Sequence, residues 1–137
     1  MRKKKYEELE LDNGAVIRYR RHDNGGGMVA MRADVDPSAR VEETAWVDPD
    51  ARIAAGARLG AGCWVESGAR IETGAYLATA VHVERDAVVG AHARIGSRTV
   101  IGAGARVRPD VTLRPDSEVP SLATVTRRGL EQDSRAA

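Results

Sequence analysis

An aliphatic residue stands at every sixth position from Val29 to Val125, through Val47, Ile53, Leu59, Val65, Ile71, Leu77, Val83 and Ile101, without one insertion. Seventeen consecutive matches to one period make this a structural repeat rather than an accident of composition. Two places before each aliphatic stands a small or modest residue, Ala45, Ala51, Ala57, Cys63, Ala69 and Ala75 among them. In an extended strand alternate residues share a face, so both of these point inward while their neighbours point out. The other places are often Gly, Pro, Asp, Ser or Thr, as in the steps "DP", "AG" and "SG", and these suit a tight corner. Each six is therefore predicted to be a short strand followed by a turn.

On this pattern, residues 27–126 resemble the hexapeptide-repeat family. The resemblance implies an all-β fold, a single left-handed parallel β-helix of about five coils, in which three sixes close one triangular turn. Near its corners the prism has room only for Ala-sized groups, so Cys63 reads as a small buried residue and not as a nucleophile. Aromatic residues are few and Phe is absent, which fits a core made of Ala and Val.

The ends of such a coil expose unpaired backbone and need covers. The stretch "YEELELDNGAVIRYRR" alternates apolar and polar residues around Asn13-Gly14, so residues 1–26 are expected to form an N-terminal β-hairpin cap. After Val125 the period stops, and residues 127–137 are expected to be a flexible tail or short helix.

With eighteen residues to a coil, the outward place before each aliphatic yields three columns. The first runs Met28, Trp46, Trp64, His82, Val100, Glu118; the second Asp34, Arg52, Arg70, Val88, Arg106, Thr124; the third Arg40, Arg58, Tyr76, Arg94, Thr112. A stripe of Met28, Trp46, Trp64 and Val100 is too apolar to leave in water. It is expected to be a subunit interface, because members of the resembled family are usually homotrimers. The same face is a candidate ligand platform: stacked Trp46 and Trp64 would hold a planar ring, and Arg52, Arg70, Arg94 and Arg106 from a neighbouring copy would take the charge of a small anion such as a nucleotide. In a purely structural role those arginines keep the faces soluble and pair with neighbours, as Arg70 would with Glu72.

Catalysis is the competing expectation. Many members of the family transfer acyl groups from acyl-CoA with a histidine as general base at a cleft between subunits. Of His22, His82 and His92, only His82 falls in the tryptophan column, with Glu84 two places on, and His92 is the next choice. Against this, the unbroken period leaves no loop to shape an acceptor pocket, and "SEVPSLATVTRR" lacks the Gly-Asn-Pro ending of many such transferases. Acyl-CoA is thus expected only if the protein is a transferase; the first expectation is a non-catalytic homotrimer, a scaffold or binder of a small anion, with no cofactor.

Other classes have less footing. The γ-class carbonic anhydrase branch of the family holds zinc with three histidines, two of them five residues apart; His82 and His92 are ten apart and the repeat has no third, so no metal site is expected. Lys and Arg total 21 against 20 Asp and Glu, and Lys3 to Lys5 lack accompanying basic and aromatic surface, so nucleic acid is not an expected partner. No apolar run reaches membrane-spanning length and the basic start lacks the apolar stretch of a signal peptide, which makes the cytoplasm the expected location. One cysteine excludes an intramolecular disulfide.

Overall fold

The computed structural model describes residues 7–131. It is a left-handed parallel β-helix of about five coils, and the described residues contain no helix. Each six contributes a two-residue strand, such as Trp64–Val65 or Arg70–Ile71, and each strand pairs in parallel with those eighteen residues before and after it. The predicted columns are the observed ladders: Met28, Trp46, Trp64, His82, Val100 and Glu118 are successive partners on one sheet, and the two arginine columns run down the others.

The inward pair fills the prism. Val47, Val65, Val83 and Ile101 stack along one wall, and Ala45, Cys63, Val81 and Thr99 sit just before the strands, all buried. Cys63 is a packing residue: its Sγ lies 2.9 Å from the carbonyl oxygen of Ala78, and burial pushes its thiol up to about 11. Thr99, the polar member of this set, donates its hydroxyl to the carbonyl oxygen of Arg114, which offsets the cost of burying it.

The corners turn through the left-handed backbone region. Thirteen residues six apart, from Asp50 through Ala80, Asp86, His92 and Arg98 to Leu122, all have φ between 58° and 76°. At this conformation the backbone N–H of the corner residue meets the coil below, as Ala80 donates to the carbonyl of Ala61 and His92 to that of Thr73. Gly fits the position without strain, and Ala80, His92, Arg98 and Leu122 hold it at a cost.

The N-terminal cap is a hairpin of Glu7–Glu10 against Val16–Arg21, and the second of these strands pairs antiparallel with Met28–Ala30. The cap thus extends the tryptophan sheet to eight strands. It also corrects one expectation: Met28 is only 3% exposed, covered by Tyr19. Met28 is core of the cap, and the apolar stripe begins at Trp46.

From the cap, "HDNGGG" folds across the first coil. Gly27 donates to the carbonyl of Val41, and Val41 donates to that of Asn24. A Cβ on Gly25 would stand 2.2 Å from the oxygen of Val41, so this crossing admits no side chain there. At the other end, Thr124–Thr126 pairs antiparallel with Gly129–Glu131. A short hairpin closes one face where a tail or helix was expected, because the turn at Arg127 and Arg128 brings the backbone back to an edge with unpaired groups. Residues 1–6 of the expected cap and 132–137 of the expected tail lie outside the described residues.

Candidate functional site

Stacking at strand spacing brings rings on consecutive coils into contact. Trp46 and Trp64 are adjacent partners, yet each ring finds a different neighbour. Trp46 packs edge to face with Tyr19 of the cap, the centroids 5.1 Å apart at 74°. Trp64 instead lies flat against His82, at 4.5 Å and 5°. A planar ring held between stacked Trp46 and Trp64 is therefore not the arrangement found; one face of Trp64 is covered by His82. Both tryptophans remain partly open to solvent, at 38% and 44% exposure.

The place just after each aliphatic also points outward, and on this face it holds Asp48, Glu66 and Glu84. These carboxylates reach diagonally to the ring on the next coil. Trp64 Nε1 donates to Asp48 Oδ2 at 2.8 Å, and His82 Nε2 is hydrogen-bonded to Glu66 Oε2. Ring and carboxylate are sixteen residues apart in both cases, one coil less the two places between the outward positions. The next diagonal meets Val100, which offers no donor; Glu84 Oε1 accepts the backbone N–H of Ala103 at 3.1 Å instead. Tyr19 donates its hydroxyl to Asp48 Oδ1, and burial, the charge of Asp48 and that hydrogen bond together push its phenol well above the usual range.

His82 thus has two carboxylate neighbours. Glu84 was expected two places on; the bonded partner is Glu66, on the coil below. The side chains of His82 and Glu66 are 29% and 22% exposed, and the ligating atoms of Glu66, His82 and Glu84 lie within 4.8 Å of one another. Beside them opens a shallow cleft walled by Arg85, Asp86, Ser121 and Leu122. A second groove, mostly apolar and about 420 Å³, lies between the cap residues Leu9, Leu11 and Ile17 and the rings of Trp46 and Trp64. Asp48 and Glu66 were missed in the sequence because "VDPD" and "VESG" look like corner residues. The signal that finds them is the separation of sixteen from a ring donor.

The remaining candidates are not brought to this face. Arg52, Arg70 and Arg106 are on the second sheet and Arg94 is on the third, all exposed. Arg52 and Arg70 line a groove with Asp34, Asp36 and Glu72, but among the described residues neither forms an ion pair, so the expected pairing of Arg70 with Glu72 does not form. Within one chain, the tryptophan face presents carboxylates and these four arginines lie on the other two sheets, while Arg85 borders the cleft beside Glu66 and Glu84. Val100 is half-buried in the ladder above His82. His92 sits on an exposed corner, and His22 is buried under the cap with Nε2 against the carbonyl of Ala39 at 2.7 Å. The three histidines do not converge.

No family model matches the chain, and no curated protein matches it. Solved structures do. AntD, an N-acyltransferase from Bacillus cereus in complex with dTDP and 3-hydroxybutyryl-CoA, aligns with a TM-score of 0.55 at 13% identity, over 77% of this chain and 78% of that one. A variant of perosamine N-acetyltransferase from Caulobacter crescentus, in complex with CoA and GDP-perosamine, aligns at 0.54 and 20% identity over 77% of this chain. The chain spans 56% of the length of that enzyme. At these identities the likeness is one of fold.

Proposed function

We propose that the protein is a non-catalytic homotrimer whose rigid coils serve as an assembly scaffold or hold a small anion, a nucleotide among the candidates, between copies. The observation that carries this reading is the charge division among its faces. Asp48, Glu66 and Glu84 surround two half-exposed tryptophans on one sheet, while Arg40, Arg58 and Arg94 on another sheet and Arg52, Arg70 and Arg106 on the third point outward. Aromatic rings beside acids on one copy complement an arginine ladder on the next, and such a head-to-tail contact closes into a ring when the rotation is threefold. A cleft formed this way has indole edges on one wall and guanidinium groups on the other, the chemistry that takes a base and a phosphate. Two proteins of like fold are in complexes with CoA and a nucleotide or nucleotide-linked sugar. The unbroken coils supply no described loop to enclose an acceptor.

Native mass spectrometry of the freshly purified protein tests this. A trimer that retains or takes up a nucleotide supports it, and Trp64→Ala should weaken the trimer. A wild-type monomer that binds no nucleotide overturns it.

One observation favours a second reading, acyl transfer: the hydrogen bond between His82 and Glu66. With Nε2–H donated to Glu66, Nδ1 keeps its lone pair and is the atom to take a proton from an amine or hydroxyl acceptor. That acceptor would attack the thioester carbonyl of acyl-CoA and release CoA as its thiol. His82→Ala would then abolish acceptor-dependent release of CoA while leaving the oligomer intact, whereas in the first reading no release occurs with the wild type.

A further inference from the structure

We infer that Glu66, His82 and Glu84 form a binding site for a divalent transition-metal ion. The three side chains offer one imidazole nitrogen and two carboxylate oxygens, all within 4.8 Å of one another. Bonds of about 2.0–2.2 Å from nitrogen and oxygen to zinc place such atoms about 3–4 Å apart around the ion, so the ion would take the place of the proton now shared between His82 Nε2 and Glu66, opening that pair while Glu84 draws in. All three are partly buried on the outer wall of a stiff ladder: Glu66 and Glu84 are one coil apart, and His82 is two places before Glu84.

Charge points the same way. Two carboxylates stand together, and among the described residues neither forms an ion pair with a lysine or arginine, although the chain has 21 of them; the partner of Glu66 is His82, which is charged only when protonated. Arg85 borders the cleft beside them and, among the described residues, forms no ion pair. Half-buried like charges are costly side by side, and a dication neutralises both. Orientation is supplied from outside the trio: Ala103 N–H holds one oxygen of Glu84, and Trp64 covers one face of the imidazole. Outer contacts of this kind fix ligand geometry in metal sites. One imidazole with two carboxylates suits zinc, cobalt or manganese, and three protein ligands leave a position open toward the cleft.

The site is complete within one chain and does not depend on the assembly proposed above. A bound dication would supply, on this acidic face, the positive charge that a small anion needs.

The test uses the full chain, stripped with chelator, then titrated with Zn²⁺ by calorimetry and with Co²⁺ by visible absorption at constant neutral pH. One ion per chain is expected. His82→Ala and Glu66→Gln should each weaken binding by more than the roughly 10–100-fold typical of losing an outer contact, and His92→Ala should leave it unchanged. Quenching of Trp64 fluorescence by Co²⁺, absent in Trp64→Ala, would place the ion beside the stacked ring. If His82→Ala does not fold, His82→Gln and Glu84→Gln carry the test. No uptake by the folded wild type, uptake equal in the His82 and Glu66 variants, or loss confined to His92→Ala overturns the assignment.

Discussion

The indole of Trp64 and the imidazole of His82 lie parallel, 4.5 Å apart, on consecutive coils, and each ring donates or shares a hydrogen bond with a carboxylate sixteen residues before it. The two diagonals make Asp48, Trp64, Glu66 and His82 one unit. Aromatic pairs of this geometry contribute about 0.5–1.5 kcal/mol beyond their buried area. A double-mutant cycle of Trp64→Ala and His82→Ala, read from urea midpoints, should therefore return a coupling of that size. Additive effects would mean that the stack has no energetic weight.

The narrow prism makes a separate demand. Ala75 is fully buried just before the Tyr76–Leu77 strand, within the core cluster that fills the prism. Ala75→Leu should overpack it and cost roughly 1–3 kcal/mol, measured by denaturant unfolding; an unchanged midpoint would show slack that the packing does not suggest.

Corner strain predicts the opposite sign. Ala80 holds φ at 58° on an exposed corner, where a β-carbon is unfavourable by about 1–2 kcal/mol. Ala80→Gly relieves that strain, while the looser unfolded chain takes back about 0.4–1 kcal/mol. A net gain of up to about 1.6 kcal/mol is expected, seen as a higher melting temperature. A lower one would mean that the corner is not strained.

The crossing of the cap over the first coil tolerates no side chain. Gly25→Ala puts a methyl 2.2 Å from the carbonyl oxygen of Val41 at a φ of 109°. The loop must lift, at a cost of roughly 1–3 kcal/mol. Amide exchange should accelerate first at Gly27 and Val41, whose hydrogen bonds tie the loop down, while exchange in the middle coils is unaffected.

Alkaline conditions should weaken the fold. Burial raises the thiol of Cys63 from its ordinary 9.0 to about 11, and Tyr19 is raised as well. Between the unfolded and folded values the unfolded chain loses its proton first, so it binds fewer protons and stability falls as pH rises. The contribution of Cys63 is whole below pH 9 and is lost by about pH 11. Cys63→Ala should flatten part of that slope in unfolding midpoints taken across the window; an equal slope in the variant would assign the effect elsewhere.

The sequence by itself determined the coil, its inner residues and, given three sixes to a turn, the outward ladders. A period of six repeated without insertion puts Val47, Val65 and Val83 on one line whatever the side chains outside are doing, because burial of the inward pair allows only one register. Tertiary structure decided what crosses between ladders. Met28 left the exposed stripe because the hairpin folded back onto that face, a direction that no local residue dictates. Glu66, and not Glu84 alone, became the partner of His82 because the outward place after one strand leans toward the outward place before the strand on the next coil. Such a contact depends on twist and rotamer between chain segments sixteen residues apart. Periodicity aligns columns; the spacing and rotation of neighbouring coils determine which side chains in those columns touch.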